Sequence, residues 1–182
     1  IEAKKSFGYV SDSPNSFLKL KGIEYLNFVA DIYEIDKETR KKRIEQYTKA
    51  LKIDDVLQQK IASYSHGMRQ KIVICGVLLN NPKNWILDEP MTGLDPKSSY
   101  DLKEMMKQHA AKGKTVIFST HVLDTAQQLC DQLAILKKGE LLYNGSVADL
   151  LAQHPSLSLE TIYLQMTGRS QEEAILAEAE EA

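Results

Sequence analysis

The chain has 182 residues, 43% of them hydrophobic and 26% charged, with a formal net charge of -2. That composition supports a globular core of one domain or slightly more, and the absence of a basic excess gives no reason to expect a nucleic-acid surface. The longest apolar run, residues 72–79, is far too short to span a bilayer, and no signal-peptide pattern is present, so any spanning is expected of another segment or chain.

The first residue is Ile1 rather than Met, and the chain reads as a piece of something longer. Residues 7–10 form a short apolar run ahead of the turn-like residues 11–15, which predicts a strand entering a loop. Apolar residues at helical spacing predict a helix over 22–34. Asp36 is placed to cap a second, largely solvated helix reaching about residue 51. A third helix is expected over 65–79, stopped by Asn80-Asn81-Pro82.

Beyond it come three short, unbroken apolar runs at 85–87, 116–118 and 133–136. Unbroken runs suggest strands of a parallel sheet buried on both faces. Helices are expected between them at 96–112, closed by Gly113, and at 122–130. Together these predict a βαβαβ series, with a further strand over 139–145 and a short helix capped by Ser146 and Asp149. The acidic, alanine-rich residues 170–182 read as a solvated tail. Cys75 and Cys130 lie in apolar helix-like stretches and are expected as buried free thiols. The fold class read from this pattern is α/β, with a parallel sheet and a helical insertion.

Asn84-Trp85-Ile86-Leu87-Asp88-Glu89-Pro90 delivers two adjacent carboxylates at the C-terminal end of a strand, the edge where open α/β sheets bind ligands. One carboxylate there can hold magnesium, and the next can aim at a water; alternatively the segment is a strand ending in a polar turn. In Thr92-Gly93-Leu94-Asp95-Pro96, Asp95 is a helix N-cap and Pro96 the first helical residue, a local role that needs no further function. Ser119-Thr120-His121 follows the next strand, so His121 is expected near Asp88 and Glu89. Tyr64-Ser65-His66-Gly67-Met68-Arg69-Gln70-Lys71 opens a helix with Ser65 as N-cap. With Gly67 in its first turn, that end is either an anion site or a capped helix binding nothing.

In this order the segments resemble the nucleotide-binding domain of ABC transporters, from about residue 7 to 168. Residues 64–71 look like its signature motif, Asp88-Glu89 like Walker B and the glutamate after it, Asp95 like the D-loop, and His121 like the switch histidine. Residues 7–14 look like the approach to the Q-loop, and 159–164 like a segment near the end of such domains. The signature reads Ser-His-Gly-Met where Ser-Gly-Gly-Gln is commoner, and Asp12 stands at the Q-loop glutamine position.

The resemblance implies a RecA-like P-loop NTPase partial core plus an all-helical signature subdomain. The expected division is a strand and Q-loop-like segment (1–19), the helical subdomain (20–82), the α/β core (83–168) and the tail (169–182). It implies ATP and Mg2+ as ligands, with Asp88 on the metal and Glu89 and His121 catalytic. Ser65, His66, Gly67, Met68, Asp95 and Asp12 are implied on the nucleotide. The implied partners are a second such ATPase domain, identical or not, and a transmembrane permease, at the cytoplasmic side of the membrane. No two of the nine glycines are five apart, so the Gly-x-x-x-x-Gly-Lys-Ser/Thr loop is expected upstream of Ile1 and this piece is expected to be inactive. A soluble ATPase acting on ribosomes or DNA, and a non-catalytic regulatory half, are the rival readings.

Overall fold

The computed structural model describes residues 6–15 and 17–168, so the tail expected over 170–182 lies outside the described residues. It divides into two compact units, Ile1–Ser119 and Thr120–Ala182.

In the first unit, strands β1 (Phe7–Val10), β2 (Asn84–Leu87) and β3 (Thr115–Phe118) form a parallel sheet in the order β1-β2-β3. Val10, Leu87 and Phe118 stand in register across it. Between β1 and β2 run helices α1 (Gly22–Ile32), α2 (Lys37–Ala50) and α3 (His66–Leu79), and α4 (Pro96–Ala111) crosses from β2 to β3. The caps are local. Glu24 accepts the Lys21 N–H at 2.8 Å to open α1, Asp36 accepts Thr39 N–H to open α2, and Ser65 accepts Met68 N–H to open α3.

Expectation and structure part over the sheet. Trp85 and Leu87 are fully buried, and the Trp85 ring meets the His109 ring of α4 edge-on, with centroids 5.5 Å apart. Val77 and Pro82, at and just past the end of α3, crowd Gly8 on that same face. On the opposite face Tyr9 and Ile117 are 51% and 56% exposed, so burial follows the two-residue pleat. Within this unit α3 and α4 cover one face of the sheet. The expectation of strands buried on both faces is therefore corrected.

In the second unit, β4 (Gln132–Lys137) pairs antiparallel with β5 (Glu140–Ser146). The 133–136 run is thus half of a hairpin and not the third strand of a parallel series. The reason is the two-residue turn: Lys138 and Gly139 both take positive φ, 50° and 85°, the pattern that folds one strand back on the last. The hairpin packs Ile135 against Leu150, Leu159 and Ile162, from helices α6 (Val147–Gln153) and α7 (Leu159–Met166). Helix α5 (Leu123–Leu129) adds Leu123 and Ala126. Ser146 caps α6 through the Asp149 N–H, as expected.

Candidate functional site

The parallel ladder runs one residue past its strands. Asp88 N–H donates to Val10 O at 2.8 Å, and Ser119 N–H donates to Leu87 O at 3.0 Å. Asp88 and Ser119 are therefore neighbours at the C-terminal sheet edge. The Ser119 hydroxyl donates to Asp88 Oδ1 at 2.6 Å and accepts the Glu89 N–H at 3.0 Å. Glu89 has φ 42°, a left-handed conformation uncommon outside glycine.

That arrangement bears on magnesium. Among the described residues no group of three His, Cys, Asp or Glu side chains could hold a metal by itself. Magnesium, though, is typically held by one or two carboxylates, with water and substrate phosphates completing its shell. Asp88, with Oδ1 committed to Ser119 and no hydrogen bond to Oδ2 among the described residues, fits that role.

Asp12 lies in the exposed turn after β1, where its Oδ1 accepts the Ser11 hydroxyl at 3.1 Å and Ser11 Oγ accepts Ser13 N–H at 3.2 Å.

The start of α3 meets the turn before α4. A Cβ on Gly67 would lie 2.7 Å from Gly93 O, and Gly93, at φ 75°, backs onto the His66 ring. Lys71 Nζ is 3.8 Å from Asp95 Oδ2. Asp95 caps α4, accepting both the hydroxyl and the N–H of Ser98. Those bonds, the hydroxyl's first, hold its carboxyl down at about 2. Arg69 is committed elsewhere: its guanidinium donates to Asn15 Oδ1 (3.0 Å), Ala62 O (2.9 Å) and Ile61 O (3.3 Å).

In the second unit, the Thr120 hydroxyl accepts Val122 N–H at 3.0 Å and turns the chain around the exposed His121.

Two acids on the C-terminal end of a parallel strand, and a capped helix opening beside a Gly-Leu-Asp-Pro turn, can be set against known proteins. The conserved domain described as ABC transporter matches residues 2–92. The ABC-type transporter ATP-binding protein EcsA of Bacillus subtilis is 34% identical over 166 residues, 90% of this chain and 67% of its own length. The chain belongs to the ABC transporter ATP-binding family.

An uncharacterised ABC transporter ATP-binding protein of Nostoc is 36% identical over 81% of this chain, and one of Synechocystis 34% over 82%. The chain spans 45% and 43% of those two relatives, about half of each. A solved ATP-binding subunit of an ABC transporter superposes with TM-score 0.84 at 31% identity, covering 90% of this chain and 69% of that one. CbiO1 of Clostridium perfringens, part of the transporter complex cbiONQ, gives 0.69 at 26% identity, covering 84% and 62%. The α/β fold of this ABC ATP-binding chain is thus that of the family's RecA-like ATPase domains.

Sequence reading passed over Ser119 and Arg69. Ser119 had one available signal, its place in the Ser-Thr-His segment at a strand end. Arg69 had none, since its partners Asn15, Ile61 and Ala62 are distant or unremarkable in sequence.

Proposed function

We propose that the whole protein is the ATP-binding subunit of an ABC transporter, hydrolysing ATP to power solute transport. The observation that carries this is the Asp88–Glu89 pair at the C-terminal end of β2, held by Ser119 across the sheet edge. Two such domains, identical or not, work head to tail, each nucleotide lying between the P-loop of one and the Ser65-His66-Gly67-Met68 helix start of the other. Asp88 would hold magnesium, which would supply positive charge against the phosphates. Glu89 orients or deprotonates the attacking water, and His121 contacts the γ-phosphate. Asp12 reaches magnesium or water, and Asp95, beside the signature helix through Lys71, lies on the nucleotide side of the site. The remaining work is positioning and charge neutralisation.

The helical part, residues 20–82, passes closure on ATP to a transmembrane permease through the loop around Asp12, at the cytoplasmic face of the membrane. None of the described helices is long and apolar enough to cross a membrane, in keeping with a peripheral subunit. The Gly67-Met68-Arg69-Gln70 run resembles that of drug-exporter-like members of the family, which leans the reading toward export. These 182 residues alone contain no P-loop spacing and are not expected to turn ATP over.

The test is Glu89→Gln in the whole protein. Turnover falls by roughly 10²- to 10⁴-fold, the usual loss on removing a general base, while ATP binding persists. Near-normal turnover in that variant overturns the assignment.

A further inference from the structure

We infer that Ser119 is a positioning residue for both acids, setting the Asp88 carboxylate and the Glu89 main chain through one oxygen atom; the inference rests on the ATPase reading of this site. A hydroxyl has one proton to give and lone pairs to receive. At Ser119 the proton goes to Asp88 Oδ1 at 2.6 Å, and a lone pair receives the Glu89 N–H at 3.0 Å. Both bonds run from one strand end to the next, 30 and 31 residues away in sequence.

The consequences differ for the two acids. For Asp88 the bond fixes the carboxylate plane, directing Oδ2 away from Ser119 as the free ligand for the cation. A charge-assisted bond to a carboxylate is among the stronger of its kind. For Glu89 the bond anchors a peptide in a left-handed conformation, φ 42°, that a non-glycine residue adopts reluctantly. Without it the Glu89 N–H loses its tie to the neighbouring strand while the turn bond from Thr92 N–H to Glu89 O at 3.1 Å remains, so the direction of the Glu89 side chain is less tightly set. Alanine deletes both bonds at once. Threonine keeps both and adds only a methyl group, at a position already exposed.

The experiment compares the whole protein with Ser119→Ala and Ser119→Thr. ATPase rates give kcat and KM, and Mn2+ binding in the presence of a non-hydrolysable ATP analogue is read by electron paramagnetic resonance. Thermal unfolding is followed alongside. Ser119→Ala is expected to lower kcat and weaken Mn2+ binding, each about 10- to 100-fold as for other groups that orient a metal ligand, with KM for metal-bound ATP raised in step and Tm unchanged. Ser119→Thr restores most of both. Wild-type kcat and Mn2+ binding in Ser119→Ala overturn the inference. So does a loss in both variants that tracks a lowered Tm, which marks a merely structural serine. If the wild-type protein binds Mn2+ with the analogue but hydrolyses no ATP, while Ser119→Ala still weakens that binding, the ATPase reading fails and the positioning role stands.

Discussion

Gly93 presses its bare Cα against the imidazole of His66: a Cβ there would sit 2.2 Å from His66 Cδ2 and 3.1 Å from Nε2. The contact joins the opening of α3 to the turn before α4, two segments that sequence reading treats as separate motifs.

Gly93→Ala meets two penalties, the left-handed φ of 75° and the His66 ring. The backbone alone costs roughly 1–2 kcal/mol. His66→Ala in the same chain removes the steric part and leaves the backbone part, so the double variant recovers some stability but not all. Gly67→Ala has no such remedy, because its obstacle is the Gly93 carbonyl at 2.7 Å. Urea unfolding of wild type and the three variants checks the order. Equal stability of Gly93→Ala with and without His66 would show that the ring turns aside at no cost.

His109 gives the fold a pH dependence. Burial, with Lys114 and Lys112 adding repulsion, holds its imidazole below the usual value, and its buried Nε2 has no hydrogen-bond partner among the described residues. The neutral form is the one the fold prefers. Between the lowered folded value and the unfolded value near about 6.5, the unfolded chain binds more protons. This contribution is therefore present above about pH 6.5 and is lost as pH falls through the folded value. Tm measured at about pH 8 and about pH 5.5 should fall further in wild type than in His109→Gln. Parallel slopes would assign the acid sensitivity to other groups.

The two thiols should separate by reactivity. Cys75 is fully buried and burial pushes its thiol well above the usual range; Cys130 is half-buried and raised less, by burial and the neighbouring Asp131. The thiolate is the reacting species. At mildly alkaline pH an aromatic disulfide reagent should titrate Cys130 slowly and Cys75 only once denaturant is added. Two fast equivalents under native conditions would contradict the packing around Cys75.

What the sequence made legible was local. Asp36, Ser65, Asp95 and Ser146 each cap the helix they precede, because a cap is a contact over three residues and needs no tertiary knowledge. The acidic strand end was equally plain in Asp88-Glu89. The hairpin of β4 and β5 was not, because a four-residue apolar run looks alike in a buried parallel strand and a hairpin arm. The deciding signal was the Lys-Lys-Gly-Glu stretch just beyond it, where two positive φ values reverse the chain. Ser119 was hidden for a different reason. Its partners sit on a neighbouring strand, and only the register of β2 with β3 brings one hydroxyl to both acids.

Arg69 makes the loop beyond β1 and the opening of α3 one mechanical part. Its planar fork is spread over Asn15 on one side and the carbonyls of Ile61 and Ala62 on the other, so a tug on the loop loads the helix directly instead of being taken up as slack. A lysine ammonium, a point charge on a pliant stem, cannot hold three anchorages so far apart. Backbone bonds already join these segments, Ile61 N–H to Leu20 O and Ala62 N–H to Leu18 O at 2.9 Å each, so swapping Arg69 for lysine would loosen only the reach to Asn15, without removing a charge.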